Sequence, residues 1–373
     1  MRLETIAIHS GLNILKESSA VVPPMSPSTV FEHDPKGPKQ GDLKYTRLQN
    51  PNRAQVEALI ADLEEGAACA TFSSGVAAAS AVFQALSPGD HIIMPEDVYH
   101  GNFLLMKKVM NPWGLEVDYV DMTDLANVGA AVRENTRLLW LETPSNPMLR
   151  ITDIRGAVHL ARQHDLMVCV DNTWPSPVNQ LPLSLDADLS LHSTTKYLGG
   201  HSDILGGAVV AQKEEGVFER IRDIQISVGA VPSPRDCWLL ARSIRTLPYR
   251  MRGHNEHAGK IARFLRDHPK VQKVFYPGLE SDPGHTIARN QMSGFGGMVS
   301  FLYDGSRSEA IDVVGRSRVI MRATSLGGVE STWEHRRSSE GDESNTPQNL
   351  IRISVGLEHP DDLLEDLERA LGT

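Results

Sequence analysis

The stretch Ser190–Asp203 reads SLHSTTKYLGGHSD. A short alternating run, Leu189–His192, ends in hydroxyl side chains, and Lys196 follows at once. A lysine at the mouth of a buried strand is chemically unusual, because desolvation disfavours its charge. Alone, such a lysine is more often a solvated surface group. What singles it out is Val168–Asp171 upstream, an apolar strand pattern that ends on a carboxylate and runs on into Asn172-Thr173. An aldehyde cofactor held as a lysine Schiff base, its pyridinium nitrogen facing an Asp, needs this pair of groups. Lys196 is read as that lysine and Asp171 as its partner.

Other residues fit the same chemistry. Ser73-Ser74-Gly75 precedes a helical pattern, and the first N–H groups of a helix form an anion site. Ser193 and Thr195 offer hydroxyls to the same anion, and Tyr45 with Arg47 forms a second clamp. Tyr99, in EDVY after a strand, suits stacking on a flat ring, although packing is the commoner role of an isolated tyrosine. Arg352 is a charge in the apolar run LIRISVG. It reads either as half of a structural ion pair or as a binder of an amino-acid carboxylate. No metal site is expected: the 14 histidines form no His-Glu-x-x-His, and no cysteine pair has zinc spacing. Gly294-Phe295-Gly296-Gly297 lacks the βαβ context of a dinucleotide fingerprint.

The elements that must position these groups alternate. Strand patterns at Cys69–Phe72, His91–Pro95, Leu115–Val120, Leu138–Glu142, Met167–Asp171 and Leu189–His192 are separated by helical ones near Val76–Leu86, Gly101–Met110, Leu125–Glu134 and Ile154–His164. Such alternation predicts an α/β fold, a mostly parallel sheet with helices on both faces. Ligands then bind beyond the carboxyl ends of the strands, where Ser74, Glu142, Asp171 and Lys196 fall. Leu205–Val210 is a further strand and Gly216–Ile226 a helix. After Val231-Pro232-Ser233-Pro234 comes a long helix, broken or kinked at Leu247-Pro248 and running to about Leu265. Strand patterns at Val271–Tyr276, Gly297–Leu302, Val319–Met321 and Ile351–Val355 then make a smaller α+β domain with helices at Ser308–Gly315 and Asp361–Leu371. The expected divisions are an N-terminal arm over 1–50 that reaches a neighbouring subunit, a cofactor-binding domain over 51–234 and a C-terminal domain over 235–373. The arm is rich in proline, which disfavours helices. SSEGDESN at Ser338–Asn345 reads as a polar loop.

The 373 residues suit about two domains, and 40% apolar with 23% charged residues is ordinary for a globular chain. A net charge of −10 argues against nucleic acid as partner. The densest basic stretch, Arg245 to Arg252, reads as a solvated helix face or an interface. Three widely spaced cysteines, no apolar leader and no run of about 20 apolar residues point to a cytoplasmic protein with no membrane span.

Seven motifs in order then resemble the Cys/Met-metabolism family of pyridoxal-phosphate (PLP) enzymes, over about His9 to Leu371. They are YTRLQNP at Tyr45–Pro51, SSG at Ser73–Gly75, ETPSNP at Glu142–Pro147, VDNT at Val170–Thr173, HSTTKYLGGHSD at His192–Asp203, SLGGVES at Ser325–Ser331 and LIRISVGLE at Leu350–Glu358. The resemblance implies the type I aminotransferase-like fold and PLP on Lys196, with Asp171 at the pyridine nitrogen and Tyr99 on the ring. It gives the phosphate to the backbone N–H groups of Gly75 and Val76, to Ser193 and Thr195, and to Tyr45 and Arg47 of a neighbouring subunit. Ser325 and Arg352 would hold the substrate carboxylate, with Asn146 beside the cofactor. The family implies a homotetramer built from two tight dimers and a small amino-acid substrate. The expected activity is elimination or replacement on a sulfur-containing or O-acylated amino acid, of the cystathionine γ-lyase or γ-synthase kind. A methionine γ-lyase-like or cystathionine β-lyase-like C–S lyase is the rival, and a non-catalytic PLP-binding regulator is the reading from another class. Departures concern the substrate's far end. Thr324 stands where the cystathionine enzymes commonly carry Glu, and Glu334-His335-Arg336-Arg337 replaces the start of the usual HPAxMTH run.

Overall fold

The computed structural model describes residues 1–15, 20–37, 43–341 and 344–372. Parts of the expected arm, at 16–19 and 38–42, and Asp342-Glu343 of the expected polar loop lie outside the described residues.

Seven strands form the large sheet: β1 (Ala68–Phe72), β2 (His91–Pro95), β3 (Glu116–Val120), β4 (Thr136–Glu142), β5 (Met167–Asp171), β6 (Leu189–His192) and β7 (Gly207–Ala211). Their order is β1-β7-β6-β5-β4-β2-β3, and only β7 runs antiparallel to its neighbours. Successive residues of a strand point to opposite faces, and here both faces are covered. Ile92 and Met94 pack with the helix Gly75–Gln84, whereas Ile93, Leu139 and Val168 pack with the helix Ile154–Gln163. That is why the central strands read as unbroken apolar runs. Register places Glu142 of β4 beside Asp171 of β5 at the carboxyl ends.

A five-stranded sheet follows, from β8 (Val271–Phe275), β9 (Met298–Tyr303), β10 (Met321–Arg322), β11 (Thr332–His335) and β12 (Leu350–Ser354), in the order β10-β11-β12-β9-β8. The expected long helix is two, Pro234–Ile244 and Leu247–Asp267. Pro248 stands in the first turn of the second, where its missing N–H costs nothing. Among the described residues no helix is long and apolar enough to cross a membrane.

Four expectations need correction. The N-terminal arm contains a helix, Leu3–His9, anchored by buried Ala7. Thr332–His335 is a strand that its polar composition hid; Trp333 fills the core and Glu334 pairs with Arg352 across the ladder. The polar loop begins as the end of a helix, Arg336–Glu340. The basic stretch is not all solvated. Arg250 is buried and donates to the carbonyls of Tyr197 (2.7 Å) and Ser243 (3.0 Å), clamping the turn that carries Lys196. A Cβ on Gly200, whose φ is +69°, would collide with that guanidinium.

Candidate active site

The carboxyl ends of β4, β5 and β6 open into a cleft closed on its far side by residues 324–326 and by Arg352 of the small sheet. The structure brings Gly75, Val76, Asp171, Ser193, Thr195 and Lys196 to this cleft, with Tyr99, Asn146, Thr324, Ser325 and Arg352 facing them.

At one end Ser74 caps the helix Gly75–Gln84, its hydroxyl accepting from Ala77 N at 3.0 Å. The two preceding amides, of Gly75 and Val76, come before the first intrahelical bond. A Cβ on Gly75 would stand 2.8 Å from Ser193 Cβ, so only glycine lets the two segments approach this closely. Thr195 Oγ1 is already engaged, accepting from Gly206 N at 3.0 Å.

In the middle lies Lys196, whose Nζ donates to Ser325 Oγ at 2.5 Å. Burial, and then the fields of Arg352 and Arg336, lower its pKa to about 8. Asp171 Oδ1 accepts from Thr173 N (3.1 Å) and Oγ1 (2.6 Å). Burial raises Asp171, against those hydrogen bonds and the fields of His192 and Lys196. Its neighbour Glu142 is pushed well up by burial and then by the Asp171 charge, while Oε2 accepts from Tyr99 N at 2.8 Å. Desolvation around the oxygen also raises the Tyr99 phenol, with Arg336 opposing, so the hydroxyl keeps its proton, although the residue as a whole is 37% exposed.

At the substrate end Arg352 Nη1 donates to Asn146 Oδ1 (2.7 Å) and Nη2 to Glu334 Oε1 (2.5 Å). The ion-pair reading of Arg352 is therefore realised. A guanidinium has five donors, so further N–H groups remain for a carboxylate. Glu334 also accepts from Arg336 Nη1 (2.9 Å) and Ser339 Oγ (2.6 Å). Burial raises Glu334, but Arg352 and Arg336 outweigh it and leave the carboxyl below its usual range.

Tyr45 and Arg47 do not join the cleft of their own chain. Arg47 Nη1 donates to Ile226 O at 2.6 Å, and Tyr45 is 40% exposed. Sequence reasoning missed Trp174, which lines the cleft with the Arg352 guanidinium 5.9 Å from its ring centre. It also missed the buried pair Glu64 Oε1–His192 Nε2, at 2.5 Å, whose imidazole acts on Asp171. His192 stands next to Ser193 in the chain and was the available signal.

Comparison with known proteins bears on this arrangement. The chain is 47% identical over 374 residues to a cystathionine gamma-synthase of Mycobacterium tuberculosis, covering 99% of this chain and 96% of that one. It is 42% identical over 381 residues to a cystathionine gamma-lyase of Bacillus subtilis, covering 100% and 99%. The crystal structure of metB from Corynebacterium glutamicum superposes with a TM-score of 0.96 at 40% identity, covering 100% and 98%. The family model described as Cys/Met metabolism PLP-dependent enzyme matches residues 4–372, and the chain belongs to that family.

Proposed function

We propose that the chain breaks a bond at the γ carbon of an amino acid, as a cystathionine γ-synthase- or γ-lyase-like enzyme, with PLP carried on Lys196. The observation that carries this reading is the Lys196 amine, lowered to about 8 and seated on Ser325 in a cleft that also holds Asp171, Tyr99 and Arg352. The donor set fits the cofactor. The Gly75 cradle and the Ser193 hydroxyl suit its phosphate, Thr195 Oγ1 being held by Gly206, and the Asp171 carboxylate suits a pyridinium proton.

The bound cofactor supplies an electron sink for the charge left at the substrate's Cα. Everything else falls to the chain. Arg352 and Ser325 hold the α-carboxylate, and Asn146 fixes the Arg352 fork. Lys196, about half neutral at pH 8, takes the α-proton, gives it up, and then takes a proton from Cβ, whose electron pair expels the γ-substituent. Asp171 holds the proton of the ring nitrogen. Tyr99, whose phenol is shifted upward and keeps its proton, donates at the leaving group. The packed apolar wall that includes Leu191 and Trp174 limits water.

The placement of Tyr45 and Arg47 outside their own cleft supports sites shared within a dimer, and the family resemblance extends this to a tetramer of two such dimers. Three free, buried cysteines support a cytoplasmic setting. The division into 1–50, 51–234 and 235–373 remains our reading of the domain plan, with the large and small sheets falling in the last two parts. A second reading, a lyase for a substrate with an uncharged tail such as methionine, is favoured by Thr324 in place of an acid.

A substrate panel tests the function: cystathionine, methionine, cysteine and acylhomoserines, with and without thiol, scored for 2-oxo acid and for replacement product. Borohydride reduction and peptide mapping should place the cofactor on Lys196. An adduct elsewhere, or no turnover of any γ-substituted amino acid, overturns the proposal.

A further inference from the structure

Arg336 begins the helix Arg336–Glu340 and lines the cleft together with Tyr99 and Thr324. It is 5% exposed. Its Nε donates to Glu340 Oε1 at 2.7 Å and its Nη1 to Glu334 Oε1 at 2.9 Å. Among the described residues Nη2 takes no hydrogen-bond partner. The neighbouring acids have little left to give. Glu334 Oε1 is shared with Arg352 and its Oε2 accepts from Ser339. Glu340 Oε2 accepts from Ser344 (2.6 Å) and Thr346 (2.5 Å). The two acids balance the two guanidinium charges but not their donors. The spare donors are not sealed from solvent; Arg336 lines the cleft, and a ligand carboxylate there meets two of them at once.

We propose that Arg336 is a second carboxylate-binding residue of the cleft, taking an acidic group at the far end of the substrate side chain while Arg352 takes the α-carboxylate. The favoured substrates are then amino acids whose γ-substituent carries a carboxylate. This rests on the reading of Lys196 and Arg352 given above. Arg336 and Arg352 both bond Glu334 Oε1, so the two guanidinium groups stand side by side on one wall of the cleft. Arg336 is also set toward Tyr99, the residue assigned to the leaving group, because its field is the foremost charge acting on that phenol.

The test measures binding to the holoenzyme by calorimetry, using amino acids with no leaving group. L-2-Aminoadipate is compared with L-norleucine, and L-2-aminopimelate with L-2-aminoheptanoate; each pair differs chiefly in the terminal carboxylate. The wild type should prefer the diacid of at least one pair by about tenfold or more, as expected for a charge-assisted hydrogen bond. In Arg336→Ala that ratio should fall to near unity, and in Arg336→Lys, which keeps the charge and loses the fork, it should be intermediate. If Arg336→Ala does not fold, Arg336→Gln and Arg336→Lys carry the comparison. Equal binding within both pairs, or a preference that survives loss of the guanidinium, overturns the proposal. Arg352→Ala separates it from the reading beneath it. If that variant still binds norleucine as the wild type does, the α-carboxylate assignment fails whatever Arg336 does.

Discussion

Lys196 Nζ donates to Ser325 Oγ at 2.5 Å, and Ser325 holds a φ of +88° to receive it. A non-glycine residue in that region is strained, and such strain persists where the surroundings over-determine it. The contact joins the large sheet, through the turn after β6, to the segment leading into β11. It fixes an amine whose environment already favours the neutral form.

That amine should therefore titrate early. In cofactor-free protein, pulse labelling with acetic anhydride read by mass spectrometry should give Lys196 a midpoint near pH 8 rather than the usual 10.5. Arg352→Gln removes the largest charge acting on it and should move the midpoint up. The sign for stability follows. Between about pH 8 and 10.5 the unfolded chain binds more protons, so stability rises with pH across that window, by up to roughly 3 kcal/mol. A midpoint at the ordinary lysine value would refute this.

Glu142 should behave in the opposite sense. Its folded pKa is raised, so its contribution to stability is full below the ordinary carboxylate range and is lost as pH rises through the raised value. Glu142→Gln keeps an oxygen for the Tyr99 amide and removes the titration. In cofactor-free protein the variant should gain on the wild type in urea midpoint between pH 5 and pH 8. Parallel pH profiles would show that Glu142 carries no such penalty.

How far the site was legible depends on the distance over which each signal acts. Asp171 closes a short apolar strand, Lys196 stands in the turn after another, and Ser74-Gly75 stands directly before a helix, so local pattern marked them. Partners brought together only by the fold left no such mark. His192 and Glu64 are 128 positions apart. Arg336 precedes the stretch read as a polar loop and was marked only as part of a departure from the family run, and Glu334 earns its strand place through Trp333 in the core and Arg352 across the ladder. The helix Leu3–His9 is too short for periodicity to outweigh the proline-rich segment after it.

Glu334 holds two buried guanidinium groups. Removing it leaves both without their shared carboxylate, so Glu334→Ala should cost about 3–5 kcal/mol. Arg336→Met leaves the Arg352–Glu334 pair intact and should cost less. Denaturant unfolding of both variants checks the order, and equal losses would mean that the network is not centred on Glu334.

Arg47 makes its hydrogen bond to Ile226 O, outside the cleft of its own chain. If it serves a neighbour, Arg47→Ala and Lys196→Ala should each be inactive alone. Mixed under conditions of proven subunit exchange, they should recover up to about a quarter of wild-type activity for a random dimer, since one site in a heterodimer keeps both groups. No recovery would place Arg47 and Lys196 in the same subunit's site.

The final prediction concerns the substrate's far end. Cystathionine carries a distal ammonium as well as a distal carboxylate, and methionine carries neither. Arg336 offers donors for the carboxylate, but Glu334 is not open to the ammonium, because both its oxygens are taken by Arg352, Arg336 and Ser339. Thr324 lines the cleft and is exposed there, so a carboxylate at this position would be hydrated and available. Thr324→Glu should raise kcat/KM for cystathionine relative to methionine by about tenfold or more, the usual worth of one charge-assisted hydrogen bond. The competing outcome is an internal pair with Arg336, which would withdraw the guanidinium from the ligand and lower the ratio. Combining Thr324→Glu with Arg336→Ala removes that option. A ratio unmoved in the single variant and in the double variant would show that the distal ammonium never approaches Thr324.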